Sequence, residues 1–233
     1  MIKGILFDKD GTLLDFNGTW LGPYIEASAY IANSAGHPEL SEELMRKGGY
    51  IPETGEWASD ALLASGSNRQ ILDFWSGEVG EPIEGQRRER IQAIFLQAAQ
   101  RCIPVMEDLR SFLSGLKDRG IALGLATMDD EENAAGMLVQ LKLEGLFDFV
   151  CGADSGYGVK PEPGMVHAFC RTCGLLPEEV IMVGDSPIDL NMGKNAGVAI
   201  AAGVLTGAHN RCELERFADV VMPDISSLVP LLT

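Results

Sequence analysis

The 233 residues carry 18 lysines and arginines against 34 aspartates and glutamates, a formal net charge of -16 at pH 7. That balance argues against a nucleic-acid binder, which needs cationic side chains to displace phosphate counterions, and against docking on anionic lipid. With 46% hydrophobic and 22% charged residues, the chain suits one large α/β domain, or a medium domain with a smaller insert, around a sizeable core.

In chain order, Lys3 precedes a short apolar run that stops on Asp8-Lys9-Asp10. No signal peptide is expected there, and residues 3–8 read as a strand ending on an acid, with Gly11 as the turn residue. The block from about 16 to 100 has no clear strand pattern and reads as helices, for example 20–35, 40–47, 56–65, 67–76 and 86–101. From about residue 103, strand and helix alternate. Apolar runs ending at Thr127, at Cys151 and at Asp185 predict strands, and weaker runs at 198–202 and 219–222 extend the sheet. Helices are expected at about 107–119, 130–144, 162–174 and 187–196. Continuous apolar strands alternating with helices predict an α/β fold with a doubly wound parallel sheet. Residues 1–15 and 102–233 are the expected core domain, and 16–101 the expected helical insert.

No segment is long and apolar enough to suggest a membrane span. Five scattered cysteines suggest free thiols in a reducing cytoplasm. The Cys170/Cys173 pair stands alone inside a predicted helix, which favours semi-buried structural thiols over a metal site.

Ligands of such sheets sit at the carboxyl ends of the strands, so Asp8, Thr127, Lys160 and Asp185 are expected to share one edge. A carboxylate such as Asp8 can attack phosphorus to give an acyl phosphate. Asp10, two residues on, can protonate a leaving alkoxide and later deprotonate water. Asp185 and Asp189 add carboxylates one helical turn apart, an oxygen-rich set suited to magnesium. Thr127 can offer its hydroxyl and the backbone N–H groups that follow, beginning with Met128, to a phosphoryl oxygen. Lys160, in the glycine-containing loop before Pro161, can neutralise phosphate and nucleophile together. Taken singly, each has a plainer reading: a polar turn for Asp8 to Gly11, helix caps for Thr127 and Asp185, a surface lysine for Lys160.

Together, Phe7-Asp8-Lys9-Asp10-Gly11-Thr12-Leu13, Ala126-Thr127, Lys160-Pro161 and Val183-Gly184-Asp185-Ser186-Pro187-Ile188-Asp189 strongly resemble the four motifs of the haloacid dehalogenase-like superfamily, in particular its phosphoglycolate phosphatase-like members. The resemblance implies a magnesium-dependent phosphatase of small phosphorylated metabolites. It makes Asp8 nucleophile and metal ligand, and Asp10 general acid/base and backbone metal ligand. Asp185 becomes a ligand, Asp189 a support of the metal shell, and Thr127 and Lys160 phosphate holders. The insert becomes a cap that closes over the site. Lys47 and Tyr50 are cap candidates for the non-phosphate part of the substrate, beside Trp20 and Arg46, although packing is the plainer role of Trp20 and Tyr50.

One departure concerns the residues after Thr127, where the family often has asparagine and lysine and this chain has Met128-Asp129-Asp130-Glu131-Glu132. The acidic run is expected to favour a helix N-terminus and point away from substrate, and it counts against phosphoglycolate. A sugar phosphomutase uses the same aspartates and a similar cap, and is the alternative within the family. A dehalogenase would leave Asp10 without a task. A non-catalytic binding module would be expected to have lost one of Asp8, Asp10, Lys160 or Asp185. A monomer or homodimer is expected.

Overall fold

The computed structural model describes residues 1–58 and 60–232. In chain order its elements are β1 (Gly4–Phe7), α1 (Gly22–Ser34), α2 (Leu40–Lys47), β2 (Tyr50–Ile51), β3 (Glu56–Trp57), α3 (Leu62–Ser65), α4 (Asn68–Val79) and α5 (Gln86–Ala99). They continue with α6 (Leu109–Asp118), β4 (Ala122–Ala126), α7 (Glu131–Gln140), β5 (Phe149–Cys151), α8 (Gly164–Cys173), β6 (Val180–Gly184), α9 (Pro187–Ala196), β7 (Ile200–Val204), α10 (Arg211–Leu214) and β8 (Val220–Met222).

Two compact units emerge, Met1–Phe16 with the chain from Ile103 onward, and Asn17–Cys102. The first is a doubly wound α/β unit. Among the described residues its parallel sheet has the order β5-β4-β1-β6-β7-β8. Every residue of β1 and β6 is buried, as strands covered on both faces must be. The chain leaves β1 outward through β4 and β5, then returns to β6 on the other side of β1. That reversal opens a crevice at the carboxyl edge beside β1, where ligands of such sheets bind.

Parallel register lines up the strand ends. Phe7 pairs with Leu125 on one side and Val183 on the other, so Asp8, Thr127 and Asp185 each follow at the same edge. The sheet carries α8 through Met165, Val166, Phe169 and Cys170, which pack with Leu6, Ala126, Phe149, Val180 and Met182. Burying one such side chain stabilises by roughly 1.5–3 kcal/mol. Cys170 is buried in this cluster and Cys173 packs against it half-buried, which accounts for both thiols as packing residues. In α6, Leu109, Leu113 and Leu116 are buried at helical spacing.

The second unit is mainly helical around an aromatic cluster. Trp20 stacks on Tyr24 with ring centroids 5.8 Å apart, and Tyr24 meets Trp57, Trp75 and Phe95 edge-on at 5.7–6.4 Å. The Trp57 indole N–H donates to Asn17 Oδ1 at 2.7 Å. Ser67 and Gln70 form a capping box that starts α4, and Gly80, at φ 74°, ends it in the left-handed conformation that glycine adopts without strain.

The expected helix over 56–65 is a correction. Glu56 and Trp57 pair antiparallel with Ile51 and Tyr50, and the helix is confined to Leu62–Ser65. Tyr50 and Trp57 lie opposite each other with centroids 5.0 Å apart, a cross-strand aromatic contact that favours the hairpin. The short strands also correct the expectation of a strandless block.

Candidate active site

Three carboxylates meet at the sheet edge. Asp8, Asp185 and Asp189 are buried and each places an oxygen within 4.8 Å of the others. Asp8 extends β1 and donates its backbone N–H to Val183. Asp185 follows β6, and Asp189 sits in the first turn of α9. Ser186 is the residue before that helix, Pro187 its first residue, and Asp189 Oδ2 accepts from the Ser186 N–H at 3.2 Å and hydroxyl at 2.5 Å. This reciprocal cap fixes the Asp189 side chain.

Lys160 reaches in from the loop after β5. Its side chain is 1% exposed, and its ammonium donates to Asp8 Oδ1 and, at 2.6 Å, to Asp189 Oδ1. Both oxygens of Asp189 are thereby occupied. Asp185 Oδ2 accepts from Ala208 N–H at 3.1 Å. Among the described residues, Asp8 and Asp185 each keep one carboxylate oxygen open.

Glycines make room for these acids. A Cβ on Gly207 would overlap the Asp185 carboxylate, and one on Gly184 would overlap Asp189. Gly11, at φ 80°, would bring a Cβ to 2.6 Å from the same Asp185 group. Thr206 Oγ1 donates to the Gly11 carbonyl at 2.6 Å, tying the loop after β7 to the loop after β1.

Burial, reinforced by Asp189 and Asp10 and opposed by Lys160, raises Asp8 to about 7. Burial and the charges of Asp8 and Asp189 hold Asp185 well above the ordinary carboxylate range. Burial works against the Lys160 ammonium, yet Asp189 and Asp8 outweigh it and keep the charge in place. Fully ionised, the three carboxylates would carry two negative charges more than the Lys160 ammonium offsets, and a divalent cation would supply that charge. The all-oxygen donor set, with two open oxygens, fits a hard ion such as magnesium.

Thr127 is 2% exposed at the end of β4, and its Oγ1 accepts from the Asp129 N–H at 3.1 Å. Met128 follows in the turn before α7. The side chain of Asp10 lies outside the carboxylate triad, with Oδ2 at 3.1 Å from Lys9 Nζ. In the helical unit, Lys47 is bridged to Glu43 at 2.9 Å and Glu78 at 2.5 Å, Arg46 to Glu42 and Glu53, and Tyr50 packs on Trp57.

The acidic run starts α7 as expected, with Glu131 and Glu132 in its first turn, and Asp129 is set apart from the rest of it. This side chain is buried, and Oδ2 accepts from Lys9 Nζ at 2.7 Å. Sequence reading missed Lys9, Asp129, Thr206 and Gly207. A signal existed for the last two, since Thr206-Gly207 follows a predicted strand and therefore lies at the same sheet edge.

A family model of haloacid dehalogenase-like hydrolases matches residues 2–197. The chain belongs to the haloacid dehalogenase-like hydrolases. It is 26% identical to a phosphoglycolate phosphatase of Vibrio cholerae over 232 residues, 99% of this chain and 97% of that protein. Its fold resembles a haloacid dehalogenase-like phosphatase from Thermococcus onnurineus, with a TM-score of 0.69, 21% identity, and coverage of 99% and 98% of the two chains. It also resembles a structure from Thermotoga maritima described as a candidate β-phosphoglucomutase, with a TM-score of 0.68, 22% identity, and coverage of 95% and 94%. Identities this low carry the fold alone for those two structures.

Proposed function

We propose that this hydrolase is a magnesium-dependent phosphatase of small-molecule phosphate monoesters that works through an aspartyl-phosphate at Asp8. The observation that carries the reading is Lys160, whose ammonium bridges Asp8 and Asp189 inside a buried triad of carboxylates that one ammonium cannot neutralise when all three ionise. An acid cluster of that kind is costly to keep without a cation.

In the proposed reaction Asp8 attacks phosphorus, forming a carboxylate O–P bond as the ester O–P bond breaks. The Asp10 carboxyl gives its proton to the departing alkoxide, which leaves as an alcohol. Asp10, now a carboxylate, takes a proton from water as the water oxygen bonds to phosphorus and the Asp8 O–P bond breaks. Inorganic phosphate departs and both acids return to their starting states. Lys160 keeps Asp8 oriented and offsets charge on the phosphoryl oxygens, with Thr127 and the Met128 backbone as further phosphate donors. Asp8, the Asp10 carbonyl and Asp185 would hold magnesium, with Asp189 in support, and the ion would supply charge neutralisation and orientation of the phosphoryl group.

The helical unit is read as the family's cap, with Lys47 and Tyr50 as candidates for contact with the rest of the substrate. The described residues include no helix long and apolar enough to cross a membrane, and the free cysteines suit the cytoplasm. Phosphoglycolate belongs in the substrate panel on the strength of the Vibrio relative, because Lys9 neutralises the most buried charge of the acidic run. The mutase alternative is separated by product, since a phosphatase releases inorganic phosphate and a mutase returns an isomeric sugar phosphate.

The direct test is Asp8→Asn assayed with p-nitrophenyl phosphate and magnesium. Hydrolysis should be lost while the circular dichroism spectrum is kept. Turnover equal to the parent protein would refute the nucleophile assignment.

A further inference from the structure

Lys9 follows the nucleophile directly, yet it turns away from solvent. Its side chain is 1% exposed, and its Nζ lies 2.7 Å from Asp129 Oδ2 and 3.1 Å from Asp10 Oδ2. Burying an ammonium costs several kcal/mol unless carboxylates surround it, and a side chain needed only for packing would serve better apolar.

The far end of this bridge is rigid. Asp129 Oδ1 accepts from Asp130 N–H at 2.8 Å and from Asn133 Nδ2 at 2.8 Å. The Asp129 carbonyl accepts from Ala153 N–H at 3.0 Å, and its N–H donates to Thr127 Oγ1 at 3.1 Å. Asp129 is thus fixed to the end of β4, to the first turn of α7 and to the strand-end loop after β5. The near end is Asp10, whose carboxylate is 19% exposed where Lys9 is 1% exposed.

We propose that Lys9 is a positioning residue for Asp10: a buried ionic strut that runs from Asp129 to the Asp10 carboxylate and holds the proton donor in one orientation toward the leaving oxygen. The inference rests on the reading of Asp10 as the general acid/base. A carboxyl group on a loop transfers a proton efficiently only when it is held within hydrogen-bond reach of the leaving group. Lys160 fixes the nucleophile and Lys9 fixes the acid, so two acids two residues apart at one strand end are aligned by two separate buried cations. The strut also accounts for an acid in the second position after Thr127, since it supplies the anchor of the strut.

The test compares an alkyl phosphate, whose leaving alkoxide needs a proton, with p-nitrophenyl phosphate, whose leaving group departs as an anion. Lys9→Met/Asp129→Asn removes the strut without leaving a buried carboxylate unpaired. Its kcat should fall about 10- to 100-fold more on the alkyl phosphate than on p-nitrophenyl phosphate, a part of the roughly 100- to 10,000-fold that a positioned acid contributes. Lys9→Gln/Asp129→Asn, whose amides can hydrogen-bond to each other, should show the same selective loss and serves if the first variant does not fold. Asp10→Asn, run beside them, should show an equal or larger selective loss. Folded double variants that keep the parent ratio of the two substrates, while Asp10→Asn loses it, would overturn the strut and leave Asp10 as the acid. A parent ratio in Asp10→Asn itself would remove the acid assignment and the strut with it. Equal loss on both substrates in the double variants would mark Lys9 as a merely structural residue and likewise end the proposal.

Discussion

Gly207 lies against the carboxylate of Asp185 so closely that any side chain on Gly207 would occupy the space of that group. The contact joins the loop after β7 to the acid that follows β6, and it holds a proposed metal ligand by the absence of atoms. Gly207→Ala should therefore push Asp185 out of the triad and weaken magnesium binding by about 10- to 100-fold, the usual effect of disturbing what supports a ligand. Titration of activity with magnesium checks this, and a half-saturating concentration equal to that of the parent protein would contradict it.

Gly136 supplies the contrasting case. It is exposed in the interior of α7, and a Cβ there meets nothing within 4 Å. Gly136→Ala should stabilise the protein by roughly 0.5–1 kcal/mol, because alanine loses less backbone entropy in a helix. Denaturant unfolding monitored by circular dichroism reads the change, and a lower midpoint would be the wrong sign.

The acid cluster predicts an unusual pH dependence of stability in chelator. Asp8 is raised to about 7 from an ordinary value of 3.8, so the folded state favours its protonated form. That contribution is fully present below pH 3.8 and is lost as pH rises through 7. Between pH 5.5 and 7 it amounts to about 2 kcal/mol at one proton per molecule, and Asp185 adds in the same direction. Urea unfolding in excess chelator should show a lower midpoint at pH 8 than at pH 5.5. Magnesium should raise the midpoint more at pH 8, since a cation replaces the missing charge.

Lys47 and Tyr50 distinguish binding from packing. If they contact the non-phosphate part of the substrate, Lys47→Met and Tyr50→Phe should raise KM for the best metabolite in a panel while kcat stays within about twofold, the pattern of lost uniform binding. The Lys47 ion pairs are half exposed, so solvent screening should leave stability little changed by their loss. A change in unfolding midpoint with KM untouched would assign both residues to the helical unit's own packing.

The core fold was legible because its strands are short continuous apolar runs, such as Ile5-Leu6-Phe7 and Val180-Ile181-Met182-Val183, each bounded by a charged or small residue. The hairpin of Tyr50, Ile51, Glu56 and Trp57 was not. Strands of two residues are too short for a period of two to register, and the aromatic contact that favours them appears only once the turn has formed. The run at 198–202 was displaced by two residues, since Val198 lies before β7 and packs toward α8 and α9. Asp8, Lys160, Asp185 and Asp189 could be named from their motifs. The strut from Lys9 to Asp129 joins residues 120 apart, and only the pairing of β1 with β4 brings them together, so an acidic run that reads as a solvated helix start proved to contain a buried ion pair.

In the proposed reaction everything turns on Asp8 taking up the phosphoryl group. Acid quenching of the enzyme during turnover of a phosphate-labelled substrate, followed by peptide mapping, measures it directly. An acid-stable, alkali-labile label is expected on the peptide containing Asp8 in the parent protein, and none in Asp8→Asn. Rapid turnover with no label on that peptide, or a label on another residue, would contradict it.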